Sequence, residues 1–205
     1  MARDRDHVTV AAIDVLRQVD IPDGAARMNN YPHQLSGGLL QRISIAAALL
    51  AQPRLLIADE PTTALDVTTQ EEVVAILRES QQNSALGPLF ITHDLDLAAA
   101  ITDRLAVMYA GRVVEQGATA QVYADPHHPY TAALLASRPS VQSGKIAVSI
   151  PGRPKPACEV DAGCPLAERC AHARADCHTV SPELTGDENR SVACHYAGDL
   201  RGSHV

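Results

Sequence analysis

The residues best placed to do chemistry are Asp59 and Glu60, which end the apolar run Leu55-Leu56-Ile57-Ala58. A run of that kind reads as a buried parallel strand. Finishing it in two adjacent acids has a cost in desolvation unless the acids have work to do. Ligands of open α/β sheets gather at the carboxyl ends of parallel strands. In a nucleotide site the first acid can hold Mg²⁺, often through water, and the second can orient or deprotonate an attacking water. The plainer alternative is a strand that ends in a solvated acidic turn.

Two further segments carry candidate chemistry. Leu35-Ser36-Gly37-Gly38 opens an apolar-faced helix. Its glycines let backbone approach a ligand, and a helix start offers free N–H groups to a phosphate. Alternatively Ser36 is only an N-cap beside a flexible turn. His93, in Ile91-Thr92-His93-Asp94, sits just past a second apolar run and can donate to a phosphate or position a water. A lone histidine there is more often a satisfied surface or cap residue.

These residues need a scaffold. Val8, Ala12, Val15 and Val19 recur at helical spacing. A helix over 39–51 follows the glycines and stops near Pro53. Strands over 55–58 and 88–92 alternate with helices over 68–82 and 95–101. Runs 105–109 and 112–116 flank Ala110-Gly111 as a hairpin. Alternation of this kind predicts a parallel sheet with flanking helices and an antiparallel hairpin at its end. Five prolines fall in the first 125 residues and eight between Pro126 and Pro182. The expected organisation is an α/β body at 1–125, a linker at 126–150 with a helix over about 129–138, and a loop-rich cysteine-containing extension at 151–205. There are no internal repeats.

The 205 residues carry 17 basic and 24 acidic side chains, net −7. A nucleic-acid binder would be expected to be basic. One Phe, five Tyr and no Trp leave no stacking platform for bases. The longest largely apolar stretch, 43–51, falls well short of the roughly 18–20 residues needed to span a bilayer. The charged start shows no apolar leader, so the chain reads as cytosolic.

Order and spacing join the three segments. Leu35-Ser36-Gly37-Gly38-Leu39-Leu40-Gln41-Arg42 is followed by Asp59-Glu60-Pro61-Thr62, then Ala64-Leu65-Asp66, then His93. This resembles the ATP-binding subunit of ABC transporters, with its signature loop, Walker B strand, D-loop and H-loop in the family's order. Tyr31-Pro32-His33-Gln34, the stretch from Met108 to Gly117, His128-Pro129-Tyr130-Thr131 and Ile150-Pro151-Gly152 resemble its dipeptide/oligopeptide permease branch. The resemblance implies ATP and Mg²⁺ as ligands. It implies Asp59 as the Mg²⁺ residue, Glu60 as general base and His93 as the γ-phosphate contact. Ser36, Gly37, Gly38 and Gln41 would be on the nucleotide, and Asp66 at a dimer interface. The implied partners are permease transmembrane subunits, a second ATP-binding subunit carrying a P-loop as homo- or heterodimer, and indirectly an extracytoplasmic peptide-binding protein. The implied location is the cytoplasmic face of the membrane. Leu39 and Leu40 depart from the family, which usually has Gln or Met and then a basic residue there.

Gly-x-x-x-x-Gly-Lys-[Ser/Thr] does not occur; the only Gly-Lys pair is Gly144-Lys145. The expectation is therefore an incomplete P-loop NTPase-type sheet, resembling the C-terminal portion of such a subunit, with bare strand edges. The signature could still cap an ATP held by a partner. Cys164, Cys170, Cys177 and Cys194 are spaced C-x5-C, C-x6-C and C-x16-C. Tight zinc knuckles are missing, and looser thiolate loops suit an iron–sulfur cluster. The resemblance makes the quartet compatible with a structural [4Fe–4S] site. Zn²⁺, free thiols and disulfides stay open, with His172, His178 and His195 as substitute ligands. Cys158 is extra, a small buried or free thiol.

Overall fold

A computed structural model describes residues 2–63, 65–83, 86–137, 150–160 and 162–199. The end of the expected linking helix and the Gly144-Lys145 pair lie outside the described residues, as does Ala64. The chain divides into two units, Met1–Leu97 and Ala98–Val205.

The first unit runs α1 (Ala2–Gln18), α2 (Gly24–Arg27), α3 (Gly37–Leu50), β1 (Leu55–Asp59), α4 (Val67–Asn83), β2 (Gly87–Ile91) and the start of α5 (Leu95–Ile101). Leu16, Val19, Ile21, Ile45, Val73 and Leu77 form its buried core, with Leu56 and Phe90 packed against it. The helical stripe expected in α1 is corrected at one position: Val8 is exposed, while Leu16 and Val19 are the buried residues.

β1 and β2 pair in parallel, Leu55↔Gly87 through Asp59↔Ile91, as a two-stranded sheet. The expectation that both strands are buried is corrected. Alternate side chains of a strand face opposite sides. Leu56 and Phe90 meet the core, whereas Leu55, Ile57, Leu89 and Ile91 share the other face and are exposed at 60%, 59%, 49% and 45%. A four-residue apolar run records that a strand can be covered on both sides. It does not record whether neighbours exist to cover it. Parallel sheets are normally covered on both faces by helices; here only the side carrying Leu56 and Phe90 is packed against the core.

The second unit holds the rest of α5, then β3 (Arg104–Tyr109), β4 (Arg112–Ala118), α6 (Thr119–Ala124), α7 (Pro129–Ala136), and the short strands β5 (Thr185–Gly186) and β6 (Arg190–Val192). Ala110 and Gly111 both adopt positive φ, 47° and 77°, the conformation that matches a tight hairpin to strand twist. A register shift between Val107 and Met108 marks a bulge. The hairpin does not end the parallel sheet: its sheet order is β3-β4-β6-β5. Arg190, Ser191 and Val192 pair with Gly117, Gln116 and Glu115, so the hairpin belongs with the cysteine loops. Among the described residues no helix is long and apolar enough to cross a membrane.

Candidate functional site

Parallel pairing carries the ends of β1 and β2 to one place. The Glu60 amide donates to the Ile91 carbonyl at 2.9 Å, extending the ladder by one bond. Beyond it Glu60 Oε1 lies 2.8 Å from His93 Nδ1, although 33 residues separate them in sequence. Glu60 Oε2 accepts from the Thr63 hydroxyl at 2.7 Å. The hydrogen bond with His93, then that with Thr63, hold the Glu60 carboxyl below its usual range. The same carboxylate raises His93 above the usual imidazole range, and Asp94 adds to it. The pair is ionised on both sides between those two values. Its contribution is lost when pH falls through the lowered Glu60 value or rises through the raised His93 value. Asp59 is exposed, on the bare face with Ile91. The structure thus brings Glu60 and His93 together at adjacent strand ends, with Asp59 next in sequence, and the Glu60 carboxylate is a group able to take a proton from water.

Ser36 is the N-cap of α3, its hydroxyl accepting from Leu39 N at 3.3 Å. The capping reading therefore holds, and it leaves Ser36 and Gly37 exposed at the helix start. A Cβ on Gly37 would meet nothing within 4 Å. A Cβ on Gly38 would stand 2.6 Å from Thr69 Cγ2. Gly38 thus lets α3 touch the first turn of α4. Thr69 is itself pinned: its amide and hydroxyl donate to the Asp66 carboxylate at 3.0 and 2.9 Å. Those two bonds hold the Asp66 carboxyl below its usual range. Asp66 therefore has a local capping role at α4, apart from any contact it makes across an interface. Arg42, on the same helix as half-buried Gln41, bonds Glu72 of α4 and approaches Asp20 at 3.6 Å. Thr63 and Thr69 escape a motif reading because their partners are set by turn geometry.

In the second unit a buried carboxylate organises the site. Glu115, fully buried, accepts from His127 N at 2.8 Å, His128 N at 3.0 Å and Arg190 Nη2 at 2.6 Å. His128, 1% exposed, accepts from Tyr130 N through Nδ1 and caps α7. Burial pushes it down to about 4, so it is neutral. Arg169 donates to the carbonyls of Ile150 and Pro151 and to Tyr109 Oη, tying the loop between Cys164 and Cys170 to the hairpin.

Cys164, Cys170, Cys177 and Cys194 all line one cavity of about 20 Å³ with His128, His172 and His195; His178 is outside it. Gly163 makes this possible. Its φ is 78°, and a Cβ there would lie 2.6 Å from the Cys177 carbonyl, whose oxygen accepts from Cys164 N. Burial first, then neighbouring thiolates, push Cys164, Cys170 and Cys194 up. Both causes favour the neutral thiol over the thiolate at these three positions. As the side chains stand, no group of three or more His, Cys, Asp or Glu among the described residues is disposed to hold a metal ion. Cys158 is exposed and free, which removes the buried alternative for it.

Residues 2–63 match the family described as ABC transporter, and residues 114–177 match the oligopeptide/dipeptide transporter, C-terminal region. CbiO1 of Clostridium perfringens, described as part of the ABC transporter complex CbiONQ, superposes with a TM-score of 0.52 at 32% identity over 58% of this chain and 47% of that one. A second solved structure, an ATP-binding cassette in its ADP conformation, gives 0.50 at 22% identity over 58% and 47% and supports the fold alone. The α/β domain is thus of the ATP-binding cassette class. The dipeptide transport ATP-binding proteins DppD of Haemophilus influenzae, Escherichia coli K12 and Bacillus subtilis 168 are 43%, 46% and 42% identical to it. Those alignments cover 94%, 93% and 94% of this chain, which spans 59%, 59% and 58% of those relatives. The chain belongs to the ABC transporter ATP-binding family, with the C-terminal region of its oligopeptide/dipeptide branch.

Proposed function

We propose that this chain is the signature-bearing part of an ATP-binding, energy-coupling subunit of an ABC importer for dipeptides or oligopeptides. The observation that carries the reading is the pairing of Glu60 with His93 at adjacent strand ends, 2.8 Å apart, in a unit whose signature helix start is open. Glu60 is the general base that takes a proton from water, His93 holds that carboxylate and contacts the γ-phosphate, and Asp59 holds Mg²⁺. Bound Mg²⁺ supplies charge neutralisation on the phosphates. No phosphate loop occurs in the 205 residues to stand beside them. We therefore infer that the chain alone neither binds ATP tightly nor hydrolyses it. Ser36, Gly37, Gly38 and Gln41 close over ATP held by a second subunit that carries a P-loop, with Asp66 near that interface. The assembly works at the cytoplasmic face of the membrane with permease subunits and, through them, a peptide-binding protein.

A second reading is a non-catalytic module whose tail takes Zn²⁺ or a [4Fe–4S] cluster only after its four cysteines rearrange, because as they stand around one small cavity they are not disposed to hold a metal ion. Mixing the chain with a P-loop-bearing ATP-binding subunit, with and without ATP–Mg²⁺, separates the two. Nucleotide-dependent association, read by light scattering, supports the importer reading. Folding that depends on metal, without such association, supports the other and removes the first.

A further inference from the structure

Glu60 has a φ of 48°. That left-handed conformation costs a non-glycine residue about 1–2 kcal/mol, and residues kept in it are overdetermined by their surroundings. Three bonds do so here. The Glu60 amide donates to Ile91 O at 2.9 Å, and the Thr63 amide donates back to Glu60 O at 3.2 Å. The Thr63 hydroxyl then reaches Glu60 Oε2 at 2.7 Å. Oε1 is the oxygen left to face His93 Nδ1. The imidazole is exposed over 79% of its surface, and a surface pair of this kind is worth little by itself because solvent competes for both partners. A free glutamate on such a surface would sample other rotamers. The hydroxyl removes that freedom on one side of the carboxylate.

We propose that Thr63 is the positioning residue of the site: it grips Glu60 Oε2 and thereby turns Oε1 onto His93. The proposal deepens the reading of Glu60 as base and rests on it for its functional meaning. The direction of the effect is opposite to that of simple competition. If Thr63 merely shared the carboxylate, its removal would strengthen the bond to His93. If it positions Glu60, its removal weakens that bond.

The test follows the His93 ring by long-range ¹H–¹⁵N spectra of the full chain through a pH titration. Glu60 and Asp94 are the two charged groups acting on that ring, and Asp94 is unchanged throughout. Glu60→Gln defines the uncoupled midpoint, below that of the parent chain. Thr63→Val, which keeps shape and loses the donor, is expected to bring the midpoint more than halfway to the Glu60→Gln value. Thr63→Ser is expected to restore it. Thr63→Ala serves in place of Thr63→Val if the amide spectrum shows that variant unfolded. A midpoint in the donor-less variant that stays at the parent value or rises overturns the proposal, as does a Glu60→Gln midpoint equal to the parent's. If the expected pattern appears while ATP-dependent association fails, the positioning stands and the functional reading falls.

Discussion

Arg190 Nη2 lies 2.6 Å from Oε1 of Glu115, joining β6 to β4 across 75 residues. The carboxylate is fully buried, and it also accepts the amides of His127 and His128 where the chain enters α7. One side chain therefore fastens the hairpin, the C-terminal strands and the helix start. Removing one partner of a buried pair leaves the other charge uncompensated, at about 3–5 kcal/mol. Glu115→Ala is expected to lose stability of that order in urea unfolding. Glu115→Gln, which keeps an acceptor for an amide, is expected to lose less.

The two signature glycines differ in what they protect. At Gly38 a methyl would press on Thr69, which is β-branched and already bound to Asp66. Overpacking of about 1–3 kcal/mol outweighs the ~1 kcal/mol that alanine gains over glycine in a helix. Gly38→Ala is expected to lower the unfolding midpoint. Gly37→Ala meets open space and is expected to leave the midpoint unchanged or higher while abolishing ATP-dependent association. Denaturation and light scattering on the two variants check the split.

His128 makes the fold sensitive to acid. Its folded value of about 4 lies below the ordinary 6.5. Between those values the unfolded chain binds the proton and the folded chain does not, so stability falls as pH drops from 6.5 toward 4 and then levels off. The loss is on the order of 3 kcal/mol. His128→Asn, which retains an acceptor for the Tyr130 amide, is expected to flatten this part of the curve in urea midpoints measured across it.

Local periodicity and punctuation made much of the fold readable. α5 lies at the expected residues, and β1, β2, α3 and α4 lie within a residue or two of theirs. Gly111 marked the turn because glycine adopts a positive φ without steric cost, while Ala110 carries its positive φ at a cost that the sequence does not signal. Asp59, Glu60 and His93 were legible because they punctuate apolar runs. The partners that hold them were not. Thr63 and Thr69 act through turn geometry, and Glu115 meets Arg190 only once β6 pairs with β4. The bare face of Leu55, Ile57, Leu89 and Ile91 was hidden for a different reason: apolar composition signals capacity for burial, and what packs over each face determines whether burial occurs.

We propose that the signature of this chain closes over ATP bound to the phosphate loop of a second ATP-binding subunit. The direct measurement is phosphate release from ATP–Mg²⁺ by the purified 205-residue chain, alone and titrated into a P-loop-bearing ATP-binding subunit. The account predicts no turnover by the chain alone, stimulation of the partner when the chain is added, and no stimulation by Gly37→Ala. Robust hydrolysis by the chain alone that disappears in Glu60→Gln would contradict it, as would stimulation that survives Gly37→Ala.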